Sequence, residues 1–330
     1  MPVLTTAEAK ELVVRTLIRC RTDSDNARSV ACALVAAEAE GLGGHGLSRV
    51  PTYAAQAKRG KVNGFAKPVI EWCRPAVLAI DAHNGFAYPA LEVAVRNLPQ
   101  AARQNGIAAA AIRRSHHCGV AGHPVERLAE TGLIGLMFAN TPAAIAPWGS
   151  AKAFFGTNPI AFACPLPGRP PIVIDLALSK VPRGKVLAAK QRGEAIPEGW
   201  ALDAGGKPTR DPDAALTGSM LPLGDAKGTA LALMVELLAA GLTGANFATE
   251  ASSFINADGP PPGTGQLLIA FDPSAIGGGT TIKRFSSLAA AIEAQRGARL
   301  PGDRRLKARK KAELEGVMIS DTLLAQIEAA

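Results

Sequence analysis

His45 and Arg49 stand four residues apart in a chain that holds only five histidines among its 330 residues. Glycines flank the histidine at positions 44 and 46, so its ring can approach a ligand closely. If a helix begins between the two, Arg49 reaches the same side. The pair suits a small 2-oxo acid. A guanidinium grips a carboxylate bidentately, and an imidazolium supplies a proton as hydride reaches the adjacent carbon. A helix-terminal histidine beside a surface arginine would carry the same letters, and spacing alone does not separate the two readings.

Three more histidines, His116, His117 and His123, crowd into the stretch SHHCGVAGHP, just after a strand-like apolar run. Strand ends are where α/β enzymes bind ligands. No H-E-x-x-H pattern or carboxylate-rich spacing accompanies them, which argues against zinc or iron, and no metal is expected. Gly119 and Gly122 can expose backbone N–H groups to a phosphate, with a helix behind them. A capping turn with incidental histidines is the plainer alternative. Further on, FFGTNP sets Thr157 and Asn158 in a rigid turn at the mouth of a strand. VIDLALSKVPRGK ends another strand with Asp175, Ser179, Lys180, Arg183 and Lys185. Asp175 reads equally as a hydrogen-bond partner for a cofactor or as a strand-end cap.

Gly41, Gly43 and Gly46 satisfy G-x-G-x-x-G, the fingerprint of a dinucleotide-binding turn. That turn needs a strand before it and a helix after it. Here the strongly helical VACALVAAEAE comes before it, so the fingerprint is rejected.

The elements that must position these residues follow from periodicity. TTAEAKELVVRTLIRC, opening on a threonine cap, and SDNARSVACALVAAEAEGL predict two helices. EWCRPAVLAIDAHNGFAY predicts a strand pair and turn, and LEVAVRNLPQAARQNG a helix closed by glycine. IAAAAIRR, LIGLMFAN, IAFACPL and PIVIDLAL are short apolar runs that predict buried strands, and VERLAETG an amphipathic helix between the first two. DAKGTALALMVELLAAGLTG predicts a helix crossing the interior, and GQLLIAFDP a last strand. SLAAAIEAQRG, a basic segment and SDTLLAQIEAA predict terminal helices. No internal repeat is visible.

An apolar content of 48% supports a buried core. No apolar run is long enough to span a bilayer and the start lacks the pattern of a signal peptide, so a cytoplasmic protein is expected, with no membrane partner. The five cysteines are scattered singly and predict reduced thiols. A net charge of +8 is compatible with nucleic acid or with small anions. Aromatics at 5% and the absence of zinc-finger or RNP-type patterns disfavour nucleic acid.

Taken in order, HGLSRVPTY, SHHCGVAGHPVE, FGTNPIAFACP, VIDLALS, RGK, IPEGWALD, KGTALALMVELLAAGLTG and LPGDRR cover nearly the whole chain. This series resembles the type 2 malate/L-lactate dehydrogenase family, which includes malate, sulfolactate and ureidoglycolate dehydrogenases and the reductases of Δ1-piperideine-2-carboxylate and Δ1-pyrroline-2-carboxylate. The resemblance implies a homodimeric NAD(P)-dependent oxidoreductase acting on a small carboxylate. It implies an α/β fold, with a non-Rossmann cofactor-binding domain over residues 75–283. A helical domain would come from residues 1–74 with 284–330 and contribute to the substrate site. Carried over residue by residue, His45 is the proton donor, Arg49 the carboxylate ligand, and Thr157 lies at the substrate. The cofactor would be met by His117, Cys118, Gly119, Val120 and Ala121, by Asp175, Leu176 and Ala177, and by Gly302, Asp303, Arg304 and Arg305.

The doublet His116–His117 is similar to the cyclic-imine reductase branch, which favours NADPH over NADH. Two positions depart from that branch: Gly44 stands where a serine usually precedes the proton donor, and Lys185 where an acidic relay residue is usual. The expected activity is therefore NAD(P)H-dependent reduction of a small cyclic 2-imino carboxylate to an L-amino acid. The alternative is reduction of a 2-oxo acid, or the reverse oxidation of a 2-hydroxy acid. A noncatalytic anion- or nucleic-acid-binding protein is the rival from another class.

Overall fold

The structure, a computed structural model, describes residues 2–330. The chain opens on a two-residue strand β1 (Val3–Leu4) and helix α1 (Thr6–Arg19). A reciprocal cap starts the helix: Thr5 Oγ1 accepts from the Glu8 N–H at 3.2 Å, and the Glu8 carboxylate accepts from the Thr5 N–H at 2.8 Å. Helix α2 (Ser24–Ala39) is capped by Asp23. Two single 3₁₀ turns, Gly43–His45 and Leu47–Arg49, then lead into α3 (Val50–Arg59), with Pro51 in its first turn. The glycine triad thus follows a helix and opens onto 3₁₀ turns. The local order that a dinucleotide turn requires is absent.

Strands β2 (Val69–Arg74) and β3 (Val77–Asp81) form a hairpin. Helix α4 (Ala87–Asn105), closed by Gly106, returns the chain to β4 (Ile107–Ser115), which pairs parallel with β3. Then come α5 (Gly122–Glu130), β5 (Ile134–Ala139), β6 (Ile160–Leu166) and β7 (Arg169–Leu176). An outlying unit follows: α6 (Arg183–Arg192), α7 (Pro212–Thr217) and a small sheet of β8 (Ala201–Leu202), β9 (Pro208–Thr209) and β10 (Ser219–Met220). Helix α8 (Ala226–Glu236) runs into a π-helical turn, Leu237–Gly241. Strand β11 (Thr264–Phe271) precedes α9 (Pro273–Gly277), α10 (Thr281–Glu293), α11 (Asp303–Glu315), β12 (Val317–Met318) and α12 (Asp321–Ala329).

The main sheet has the order β2-β3-β4-β11-β5-β6-β7. Its last strand in sequence, β11, is inserted at the centre, antiparallel to both β4 and β5. Among the described residues β3–β4 is the parallel pair of this sheet; the other neighbours are antiparallel. One face buries Leu78, Ile80, Ile112 and Met137 against Leu98 and Leu128 of α4 and α5. The opposite face buries Phe138 and Leu267 against Val235 and Ala239. A separate core gathers Leu17, Leu34, Tyr53 and Ile327 from α1, α2, α3 and α12, and the antiparallel β1–β12 pair ties the two ends of the chain together beside it. Strand β2 joins the main sheet, and Ala289 of α10 packs with Leu166 of β6.

One expected element needs correction. The predicted interior helix covering 225–244 is not buried all round. Ala232, Val235, Ala239 and Ala240 face the sheet, whereas Leu231, Leu233, Met234, Leu237 and Leu242 are exposed. Apolar letters on every side of a helix signal burial of every side, but they do not say whether one chain does the burying.

Candidate active site

The loop that carries His45 is clamped from below. Glu38, near the end of α2, accepts from the Leu47 N–H at 2.7 Å. A Cβ at position 46 would lie 2.2 Å from the Glu38 carboxylate, so only glycine fits there. Burial pushes the Glu38 carboxyl up from its ordinary value, against the pull of that hydrogen bond. On this platform the His45 ring stacks on His117, with centroids 5.2 Å apart and planes 16° from parallel. His45 Nδ1 is buried and has no hydrogen-bond partner. Burial, with lesser repulsion from Arg49 and His123, lowers its pKa to about 4.

Arg49 is fixed by its own loop, its Nε donating to the Gly44 carbonyl at 2.7 Å. Its charge is felt at His45, His116 and His117, where it adds to burial in disfavouring the imidazolium. The structure therefore brings His45, Arg49 and His117 together. Thr157 is held elsewhere: its N–H donates to Thr141 Oγ1 at 2.9 Å, and its carbonyl accepts from the Leu178 N–H at 2.7 Å. None of these bonds reaches the imidazole pair.

Residues that sequence reasoning missed complete the cluster. Tyr53, one turn beyond Arg49 on α3, meets His117 Nδ1 at 2.6 Å and Tyr88 Oη at 3.2 Å. Burial raises the Tyr53 phenol to about 12, so it stays protonated and able to donate. Phe254 packs on both His116 and His117, with centroids 5.2 Å away in each case. Its loop is pinned by Lys61, which donates to the Ser253, Asn256 and Asp258 carbonyls, and by Gln56. His116 is buried with neither ring nitrogen bonded, and burial lowers its pKa to about 3. The spacing of Tyr53 from Arg49 was the available signal; Phe254 left none.

The residues expected at the cofactor fall into three groups. His117 to Ala121 form a buried turn at the end of β4, in which Gly119 takes φ +69° and a Cβ would stand 2.7 Å from Tyr88 Oη. Cys118 is buried and its thiol is pushed up to about 12, so it is a packing residue rather than a nucleophile. Asp175 adjoins this turn: its carboxylate accepts from the Gly122 N–H at 2.8 Å. Asp175 retains exposed surface as a residue, but its carboxyl lies in a crowded groove, and that desolvation pushes its pKa up. Leu176 is exposed and Ala177 half-buried beside it.

The third group, at the start of α11, is placed differently from its other members by one residue. Gly302 lies against Val173 of β7, and Arg304 is exposed. Arg305 is instead committed to two buried acids, 3.0 Å from Glu40 and 2.7 Å from Glu126, with Arg309 bonded to both as well. His123 joins them through Nε2, 2.9 Å from Glu40. Burial would push the Glu40 carboxyl up, but the bond to His123 and the two guanidinium groups outweigh it and bring the pKa down to about 2. Lys185 sits exposed on α6, and a side chain at position 44 would meet nothing within 4 Å. Among the described residues no three His, Cys, Asp or Glu side chains gather as a metal ion would require. None of the described helices is long and apolar enough to cross a membrane.

Known proteins resemble this chain over nearly its whole length. A (2R)-3-sulfolactate dehydrogenase (NADP(+)) of Chromohalobacter salexigens is 51% identical over 92% of this chain and 91% of that enzyme. A Δ1-pyrroline-2-carboxylate/Δ1-piperideine-2-carboxylate reductase of Pseudomonas aeruginosa is 39% identical over 99% of this chain and 98% of its own length. The crystal structure of the Δ1-piperideine-2-carboxylate reductase from Pseudomonas syringae pv. tomato superposes with a TM-score of 0.93 at 39% identity, covering 100% of this chain and 99% of that one. Residues 4–328 match the family described as malate/L-lactate dehydrogenase, and the chain belongs to that family.

Proposed function

We propose that this oxidoreductase reduces a small anionic 2-oxo carboxylate, of which 3-sulfopyruvate is the leading candidate, to the 2-hydroxy acid, with NADPH as the hydride source. The observation that carries the reading is the stacked pair His45–His117 beside Arg49, with His45 Nδ1 buried and unpaired. Arg49 binds the carboxylate as a planar fork. His45, protonated, donates to the carbonyl oxygen as the adjacent carbon is reduced. Tyr53, through His117 Nδ1, fixes the tautomer and orientation of the ring against which His45 stacks. Thr157 supplies a hydroxyl to the carboxylate.

The groove residues suit a dinucleotide phosphate. Gly119 lets the His117–Ala121 turn close against Tyr88 at the end of β4, Asp175 and Ala177 would line one side of the groove beside it, and Arg304 offers an exposed charge. Gly302 and Asp303 would approach from the start of α11. Arg305 would act one step back, through Glu40 and Glu126. A largely antiparallel sheet and a helix ahead of the glycine triad support cofactor binding outside the Rossmann pattern. The helical part, residues 1–74 with 284–330, would bring His45, Arg49 and the start of α11, and the α/β part, 75–283, Thr157 and the rest of the cofactor groove, although β2 of the first part pairs into the sheet of the second. The exposed leucines of α8 support a homodimer.

The sulfolactate assignment is supported by the 51%-identical NADP(+)-linked relative and by Gly44, where the imine branch has serine. Reduction of a cyclic 2-imino carboxylate is the second reading, favoured by the His116–His117 doublet and the 39%-identical reductase. Steady-state rates of NADPH oxidation with 3-sulfopyruvate, oxaloacetate, pyruvate, Δ1-pyrroline-2-carboxylate and Δ1-piperideine-2-carboxylate decide between them. A kcat/KM for either imine more than tenfold above that for 3-sulfopyruvate reverses the order. Replacement His45→Ala should abolish turnover and leave NADPH affinity unchanged; retained turnover removes His45 as the proton donor.

A further inference from the structure

The apolar helix α8 carries a single acid, Glu236, inside ALALMVELLAAG. It is 4% exposed. Among the described residues its carboxylate is bonded by neutral donors only. Oε1 accepts from the Ala248 N–H at 2.6 Å and from Asn140 Nδ2 at 3.2 Å, while Oε2 accepts from Asn158 Nδ2 at 2.8 Å. A buried carboxylate without a cation is costly, and an apolar side chain would suit the surrounding helix better. Stability is therefore a poor account of its presence, and its partners give a better one.

Two of these partners, Asn140 and Asn158, adjoin the Thr157 turn. Asn140 precedes Thr141, whose hydroxyl receives the Thr157 N–H, and Asn158 follows Thr157 directly. Asn158 is fully buried and holds φ +40°, a conformation uncommon outside glycine. Its amide has one permitted orientation, because Nδ2 sits between two acceptors, Glu236 Oε2 and the Ala232 carbonyl at 3.0 Å. Oδ1 is left buried and unpaired, facing the turn: a Cβ at position 156 would lie 2.5 Å from it and 2.3 Å from the Thr141 carbonyl. The turn is closely packed on both sides of Thr157, at Gly156 and Asn158, and the Thr157 hydroxyl meets Thr141 Oγ1 at 3.4 Å. Immediately after Glu236 the helix widens into its π-turn, a feature frequent near functional sites.

We propose that Glu236 is a positioning residue: by gripping the Asn158 amide it locks the left-handed turn that aims the Thr157 hydroxyl at the substrate carboxylate. The inference rests on the reading of Thr157 as a substrate ligand, and it assigns α8 a part in substrate affinity in addition to packing.

The test uses the purified full-length protein with whichever of 3-sulfopyruvate and Δ1-pyrroline-2-carboxylate it turns over. KM, kcat and NADPH affinity are measured for Thr157→Ala, Glu236→Gln and the double variant. We expect Thr157→Ala to raise KM roughly 10- to 30-fold, in line with loss of a hydrogen bond to a charged group. Glu236→Gln should raise KM roughly 5- to 10-fold, with kcat and NADPH affinity within about twofold of the parent, and it should add nothing to Thr157→Ala in the double variant. If Glu236→Gln does not fold, Asn158→Gly serves instead, since glycine adopts the same φ without strain yet lacks the amide; it should raise KM to the same extent. A normal KM in Glu236→Gln or Asn158→Gly, or additive losses in the double variant, overturns the proposal while Thr157 remains a ligand. A normal KM in Thr157→Ala overturns the substrate reading itself, and the inference with it.

Discussion

Protonation of His45 should depend on whether substrate is bound, and the pH profiles of kcat/KM and kcat should separate as a result. In the ligand-free protein the ring titrates at about 4, against an ordinary value of 6.5, chiefly because burial disfavours the imidazolium. That gap corresponds to about 3 kcal/mol, and at pH 7 about one molecule in a thousand carries the proton. A substrate carboxylate on Arg49 adds a negative charge to the cluster. At about 5 Å and an effective dielectric of about 20 its attraction amounts to about 3 kcal/mol, which returns the ring to about its ordinary pKa in the complex. The kcat/KM for reduction reports the free protein and should fall about tenfold per pH unit from about pH 5.5 to 8.5. The kcat reports the complex and should stay level to about pH 6.5 before falling. In the oxidative direction the sign reverses: neutral His45 is the base, and kcat/KM should be flat over the same range. Initial rates followed by NADPH absorbance test this, with C4-deuterated cofactor used to establish that hydride transfer limits the rate. A level kcat/KM for reduction across three pH units would refute a buried, low-pKa imidazole as the donor.

Two further outcomes follow from the packing. His116 titrates at about 3 when folded, chiefly through burial and then through Lys61 and Arg49, and at about 6.5 when unfolded, so the unfolded chain binds its proton first and stability falls as pH drops through 6.5 toward 3. Between about pH 7.5 and 4.5 this ring accounts for roughly 3 kcal/mol of lost stability; His116→Phe, which suits the neighbouring Tyr53, Phe86 and Phe254, should remove most of that loss in urea titrations, and an undiminished loss counts against a neutral buried ring. Leu237, 55% exposed at the start of the π-turn after α8, should lie at the centre of the proposed dimer contact; Leu237→Glu should give a monomer by light scattering, and a monomeric parent protein would dispose of the contact.

Local signals told most of the secondary structure. The Thr5 and Asp23 caps, the glycine closing α4 and the four apolar runs of the sheet each act within a few residues and mark elements that formed, although α4 begins at Ala87, inside the stretch read as a strand pair and turn. What the letters could not carry was insertion. Strand β11 reads as one more apolar run, yet it lies between β4 and β5, which precede it by more than a hundred residues. Nothing local distinguishes a central strand from an edge strand when both are apolar on two faces. The small sheet of β8, β9 and β10 has strands of two residues each, too short for any periodicity to register.

The site divides along the same line. His45 and Arg49 are neighbours in sequence, and the glycines around them report a backbone that must pass close to something, which proved to be Glu38. Arg305 shows the limit. A basic residue at the start of a helix near a groove reads as a phosphate ligand, but the letters do not show which acids it also holds. Its actual partners, Glu40 and Glu126, lie 265 and 179 residues away and meet it only because α11 packs against α2 and α5. These bonds run through Nη1, so the guanidinium keeps other N–H groups for a phosphate, and Arg309 shares both acids. Arg305 also ties α11 to the segment that leads into the His45 loop, since Glu40 immediately precedes Gly41–Gly46. Through Glu40 and His123, one cluster of charges joins the His45 loop to the turn that opens α5, so the elements proposed to carry the two halves of the reaction are tied by the same contacts that fold the chain.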